Sequence, residues 1–228
     1  MSADAPVVTL DGPAGAGKST TAKAAARALG FRHLDSGALY RALTFALMER
    51  GVPADEWTAL DESDLRALDV TVDPEASDFV VRVEGRAVSD ELRTPRVTRR
   101  VAQLARLPAA RACLLDLQRA AGAAGRLVAD GRDMGSVVFP DADVKVYLVA
   151  DLQERARRRL RQEGRGDPCG DDVRSEARAI DERDRTDAER DISPLTKPVG
   201  AHEIDTTRLS FQEQVAAIVR LVQALTPS

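Results

Sequence analysis

A chain of 228 residues, 43% hydrophobic and 31% charged, has room for one globular domain or one domain with a substantial insertion. A net charge of −4 is too mild for general nucleic-acid affinity, so any anion site must be local. No apolar run approaches membrane-spanning length, and the start lacks a basic segment followed by an apolar stretch; a cytoplasmic protein without a signal peptide is expected.

Val7, Val8, Thr9 and Leu10 read as a buried first strand that ends at Asp11. Gly12-Pro13-Ala14-Gly15-Ala16-Gly17-Lys18-Ser19 then satisfies G-x-x-x-x-G-K-S/T, and Thr20 follows. A triphosphate needs several backbone N–H groups pointing inward, and glycines let the chain curl around it without Cβ clashes. The helix opening near Lys18 adds its N-terminal amides and dipole. Lys18 would reach the β- and γ-phosphates of ATP, and the Ser19 hydroxyl would ligate Mg²⁺. Ala-rich periodicity carries this helix to Leu29, with Gly30 as its stop.

A second strand over residues 31–35 and a helix over 37–50 follow. At their junction, Ser36 and the first helical amides can receive a polar ligand, and Arg41 projects one turn later. An N-cap serine beside an exposed arginine is the equal alternative. From about residue 65 to 88 the pattern becomes alternating, with turns at Asp73-Pro74-Glu75 and Glu84-Gly85-Arg86, as expected of short antiparallel strands. This marks a small inserted module, placed at 65–103, between core segments 1–64 and 104–228.

After Pro108 a helix is expected over 111–121, then buried strands over 126–130 and 144–149. Asp130 ends the first of these, and Arg132 and Asp133 follow it. Ligands of open α/β sheets gather beyond strand carboxyl ends, so these charges are placed for phosphate and metal-bound water; a surface ion pair is the plainer alternative. Asp151 is an N-cap for an arginine-rich helix, and the segment at about 154–171, with Gly164, Gly166 and Gly170, reads as a lid. Its guanidiniums, Arg158 taken as the catalytic one, would neutralise charge on a transferring phosphoryl group. A solvated face or a nucleic-acid patch stays open.

A charged helix over about 172–190 places Arg183, Asp187 and Arg190 at i, i+4 and i+7. Spacing leaves two readings, ordinary intrahelical ion pairing or arginines for phosphate with Asp187 for a base amine. Ser210 and Glu213 form a capping-box pattern before a last helix. Repeated βα units give an α/β fold, a parallel sheet with helices on both faces. Cys113 and Cys169 read as free thiols, and His33 and His202 are isolated.

The stretches 12–20, 34–41, 92–94, 129–140 and 182–190 together resemble the bacterial cytidylate kinases, from Val7 nearly to the end of the chain. The run Asp130-Gly131-Arg132-Asp133-Met134-Gly135-Ser136-Val137-Val138-Phe139-Pro140 is far more specific than the phosphate loop. The resemblance implies a P-loop kinase core, a monophosphate-binding insert and a short arginine-rich lid. It implies the reaction of ATP with CMP or dCMP, using Mg²⁺ held through Ser19 and Asp130, by a monomer with no nucleic-acid or membrane partner. By matching position, Ser36, Tyr40, Arg41, Arg111, Arg132, Asp133, Arg183, Asp187 and Arg190 would contact the cytidylate. Arg132 and Arg183 would grip its phosphate, and Asp187 with Arg190 would serve the sugar, against the spacing-based assignment of Asp187 to the base. Catalytic weight would fall on Lys18, Arg132, Asp133, Arg158 and Arg183. One position departs: Ala102 stands where the family often carries a serine against cytosine.

Among rivals, shikimate kinases share the phosphate loop, but Gly131-Arg132-Asp133 stands where they carry three glycines. A GTP-binding switch needs N/T-K-x-D, and Thr196-Lys197-Pro198-Val199 lacks the aspartate. Adenylate kinases share the layout and are separated by a substrate panel.

Overall fold

The computed structural model describes residues 5–76 and 78–225; residues 1–4, where the signal-peptide reading mostly falls, lie outside them. In chain order the elements are β1 (Val7–Asp11), α1 (Lys18–Leu29), β2 (Arg32–Asp35), α2 (Ser36–Glu49), α3 (Glu62–Arg66), β3 (Val70–Glu75), β4 (Asp78–Val83), β5 (Arg86–Ala87) and α4 (Pro95–Leu104). They continue with α5 (Pro108–Gly122), β6 (Leu127–Asp130), β7 (Val144–Val149), α6 (Leu152–Gln162), α7 (Gly170–Ala188), β8 (His202–Asp205) and α8 (Phe211–Gln223).

The sheet runs β3-β4-β2-β6-β1-β7-β8. From β2 to β8 every pairing is parallel, as the alternating βα pattern predicts. β1 and β6 lie centrally and are buried at every residue, which is why they read as unbroken apolar runs rather than alternating ones. Helices cover both faces. Leu39, Leu43 and Leu47 of α2 and Leu114 of α5 pack on one, and Ala22, Ala25 and Ala26 of α1 with Ile218 and Val222 of α8 on the other. The alanines let α1 sit close to the sheet, and Gly30 ends it at φ 67°, a left-handed conformation glycine adopts freely.

The expected antiparallel strands are β3 and β4, paired from Val70↔Val83 to Glu75↔Asp78; Asp73-Pro74-Glu75, expected as a turn, instead continues β3 because its residues pair with Val80, Phe79 and Asp78. β4 also joins the edge of the central sheet, where His33 pairs with Asp78 in parallel. Val81, Val83, Val97 and Val101 share the apolar cluster of α2 and α5. The helix expected over 172–190 instead runs Gly170–Ala188, so Arg190 lies beyond its end. There the chain turns back, and the Leu195 amide donates to the Asp187 carbonyl. The capping predictions hold: Asp151 accepts from the Gln153 and Glu154 amides, and Ser210 with Glu213 closes a reciprocal box. Among the described residues no helix is long and apolar enough to cross a membrane. Both cysteines are free, Cys113 buried and Cys169 exposed.

Candidate active site

The carboxyl ends of β1, β6 and β2 lie side by side, and each delivers one part of the site. After β1 the chain must turn tightly against β7. At Gly12, with φ 143°, a Cβ would stand 2.1 Å from the Leu148 carbonyl oxygen, so only glycine fits. The loop then enters α1 through Gly17, also at positive φ. Lys18 is buried and its Nζ donates to the Pro13 carbonyl at 2.7 Å. Burial, reinforced by the neighbouring Arg132 charge, pushes its ammonium well below the usual lysine range. An ammonium held this way gains from any polyphosphate placed in the loop.

At the end of β6, Asp130 takes the Ser19 Oγ–H at 2.5 Å on Oδ2 and His33 Nε2 at 2.8 Å on Oδ1. Burial opposes charge on His33, but hydrogen bonds to Asp130 and Asp78 outweigh it and raise the imidazole to about 9. A raised basic pKa stabilises the fold fully below the unfolded value of 6.5 and ceases to do so as pH rises through about 9. Thermal melts of nucleotide-free protein should therefore fall over this window, by on the order of 2–3 kcal/mol in stability. His33→Gln should flatten the profile; an unchanged slope in that variant would rule out His33 as its source.

Beyond Asp130 the chain forms a π-helical turn over Met134–Val138. Its entrance is held by Asp11, whose carboxylate accepts from the Met134 and Gly135 amides at 2.8 and 2.7 Å. Burial raises Asp11 to about 6 despite these bonds. This anchorage aims Arg132 and Asp133. The buried Asp133 carboxylate receives Arg111 Nη1 at 2.9 Å, and that same nitrogen donates to the Tyr40 hydroxyl at 3.0 Å. Arg132 Nε donates to Asp187 at 3.0 Å, and Arg190 donates to the other oxygen of Asp187. Burial works against the Asp187 charge, yet Arg132 and Arg190 hold the carboxyl below its ordinary range.

At the end of β2, Asp35 caps α2 by accepting from the Ala38 amide and also pairs with Arg93 at 2.9 Å. Ser36 is buried and receives Gln118 Nε2 at 2.8 Å; Arg41 donates to the Gly37 carbonyl. Arg183 has the character of an anion-binding group most plainly. Its pKa falls to about 10 through burial and then Arg132 repulsion, and its Nε is buried without a partner. The Nε atoms of Arg41, Arg111 and Arg190 are likewise buried and unpaired.

These groups face a cleft of about 580 Å³. Lys18, Ser19, Thr20, Ser36, Tyr40, Arg41, Arg111, Asp130, Arg132, Asp133, Arg158, Arg183, Asp187 and Arg190 all line it, as do Ala14, Gly15 and Gly17; Gly12, Pro13 and Ala16 of the same loop do not line it. A larger opening of about 820 Å³ lies between α1 and β4 and shares Ser19, Thr20, Asp35, Arg41 and Arg93 with it. Phe79 and Phe211 line that second space, and of the four arginines with an unpaired buried Nε only Arg41 reaches it, so the groups that seek an anion gather at the smaller one.

Of the α6 arginines, Arg158 donates to the Thr206 hydroxyl and carbonyl at 3.0 and 2.6 Å, and Arg159 pairs with Glu176. Arg155 points elsewhere. It donates to the Ala14 carbonyl and to Asp184, which itself accepts from the Ala14 amide at 2.8 Å. This grip of α6 and α7 on the phosphate loop escaped sequence reasoning, as did Asp11, His33 and Gln118. The one available signal was the position of Asp184 beside Arg183 within the 182–190 stretch.

A family model described as cytidylate kinase matches residues 8–224. The cytidylate kinase of Edwardsiella ictaluri is 45% identical over 219 residues, 95% of each chain. That of Pseudomonas entomophila is 44% identical over 229 residues, 99% of this chain and 98% of the other. A bifunctional pantoate ligase/cytidylate kinase of Synechocystis sp. is 44% identical over 218 residues; these are 95% of this chain but 42% of the relative, so this chain spans less than half the length of the bifunctional relatives it matches.

Proposed function

The chain belongs to the cytidylate kinase family, and from that premise we propose that it transfers the γ-phosphoryl group of ATP to a phosphate oxygen of CMP or dCMP, releasing ADP and CDP or dCDP. One observation carries this reading. A glycine loop with a buried, charge-starved Lys18 faces a set of guanidiniums with unpaired buried donors across a single cleft. Two anions lying end to end would satisfy both walls.

The division of labour follows from the chemistry of each group. Backbone amides of the loop and Lys18 hold the β- and γ-phosphates of ATP. Arg41, Arg132, Arg183 and Arg190 present planar forks suited to the monophosphate and the transferring group. Asp187 keeps Arg132 and Arg190 at fixed positions, and Asp133 does the same for Arg111. The accepting phosphate is already largely ionised near neutral pH, so alignment and charge neutralisation suffice and no side chain needs to act as base. Mg²⁺ when bound would offset charge on the phosphate oxygens. Ser19 and Asp130 fit it, two hard oxygen donors at the loop, few enough for an ion that keeps several waters.

In this reading residues 1–64 and 104–228 form the kinase core, 65–103 the monophosphate-binding insert and about 154–171 the lid, where Arg158 completes the neutralisation. Thr98, Val101 and Ala102 of α4 line the cleft and supply the wall for the base. The protein acts as a cytoplasmic monomer on small molecules. A coupled ADP-release assay over CMP, dCMP, UMP, AMP and shikimate tests the assignment. CMP and dCMP should exceed AMP and shikimate by more than about a hundredfold in kcat/KM, and UMP by a smaller factor, because Ala102 offers the base no hydroxyl. Faster turnover of AMP or shikimate than of CMP would overturn it.

A further inference from the structure

His33 stands where neither phosphate chemistry nor ordinary core packing calls for an imidazole. Its side chain is 5% exposed on β2, one strand from Asp130 on β6, and both residues point toward α1. Asp130 divides its two oxygens. Oδ2 takes the Ser19 hydroxyl at 2.5 Å, and Oδ1 takes His33 Nε2 at 2.8 Å; a carboxylate can only accept, so Nε2 carries the proton. The opposite imidazole nitrogen faces Asp78 Oδ1 at 3.7 Å, and Asp78 Oδ2 pairs with Lys23 of α1 at 2.6 Å. A continuous row of polar groups thus runs from strand β4 to the serine of the phosphate loop.

A carboxylate on a strand end can rotate about its last bond and offer either oxygen in several directions. Pinning Oδ1 leaves Oδ2 committed to the loop. Deepening the function proposed above, on which this rests, we propose that His33 is a positioning residue that holds Asp130 with Oδ2 turned to the metal–nucleotide complex. It sets affinity for the divalent cation and leaves affinity for the nucleotide itself untouched. Hydrogen-bond partners of metal-binding carboxylates typically govern metal affinity by ten- to a hundredfold.

The test uses Mn²⁺ as the probe, titrated into ATP-saturated protein and followed by the electron paramagnetic resonance of the free ion. ATP affinity without metal is measured calorimetrically in EDTA. His33→Leu should weaken Mn²⁺ binding by about ten- to a hundredfold and leave metal-free ATP affinity within about twofold. His33→Gln, whose amide can still donate to Oδ1, should recover most of the loss. Wild-type Mn²⁺ affinity in the leucine variant overturns the proposal. So does an equal loss of metal-free ATP affinity, or a glutamine variant no better than leucine. If the leucine variant does not fold, Asp78→Asn at a half-exposed position takes its place. It should cost a few-fold in Mn²⁺ affinity alone, and no loss there is equally fatal. Wild-type protein that binds Mn²⁺ with ATP but leaves CMP unphosphorylated would refute the kinase assignment and leave the role of His33 standing. Protein that binds neither would refute both.

Discussion

Lys18→Met should leave a protein that melts at or above the wild-type temperature and loses about a thousandfold or more in kcat/KM. Both halves have the same cause. The ammonium is buried, and in the nucleotide-free protein its close partner is one neutral carbonyl, that of Pro13. Burial and the Arg132 charge make this an unfavourable place for a cation, so an unbranched apolar side chain of similar length relieves the fold. In the transition state the same cation meets charge moving onto the bridging and γ-oxygens in a site poor in water, where one fixed donor is worth roughly 3–4 kcal/mol. At about 1.4 kcal/mol per decade, roughly 4 kcal/mol is a thousandfold. Thermal melting and steady-state kinetics on the same preparation read both halves. Near-normal turnover would remove the loop from the mechanism.

Asp133→Ala should damage the fold as well as the reaction. The carboxylate and Arg111 are 6% and 7% exposed, and their ion pair is 2.9 Å long. Removing the acid strands a guanidinium in the interior, which typically costs about 3–5 kcal/mol. In a chain of this size that lowers the melting temperature by roughly 10 °C. The stranded Arg111 also loses the partner that sets its angle against the Tyr40 hydroxyl, so KM for the monophosphate should rise. Adding Arg111→Met to the alanine variant should regain much of the stability while activity stays low. That sign separates a stranded charge from a simple cavity. A drop below about 2 °C in the single variant would mean the pair is not coupled.

What sequence made legible was local. The phosphate loop is dictated by backbone shape over nine consecutive residues, and the caps at Asp151 and Ser210 by side chains reaching two or three positions along. The strands β1 and β6 announce themselves through nearly continuous apolar character, because both of their faces are buried, whereas β7 alternates buried with half-buried residues. β8 has no such signature. It is a short edge strand with a His-Glu-Ile-Asp sequence that is mostly exposed, and its pairing with β7 supplies its order. α4 was missed although Thr94 caps it and Pro95 opens it, a signal that could have been read. The site showed the same divide. Spacing put Arg183 and Asp187 on one helical face, but it could not reveal that Arg132, 55 positions away, occupies one oxygen of Asp187. Nor could it show Asp184 bonded to Ala14 across 170 positions. Contacts of that range are decided by how helices dock, and leave no period in the chain.

The strand order has one more effect. The phosphate loop follows β1 and the Asp130–Asp133 segment follows β6, and these strands are immediate neighbours. Adjacent strands in any sheet stand about 4.8 Å apart, whatever residues they carry. The backbone therefore acts as a ruler between donor and acceptor, with a graduation no point substitution can rescale. Adjustment of reach is left to side-chain length, and Arg132, the long arm at the second mark that Asp187 holds in place, is where a change of one methylene would be felt.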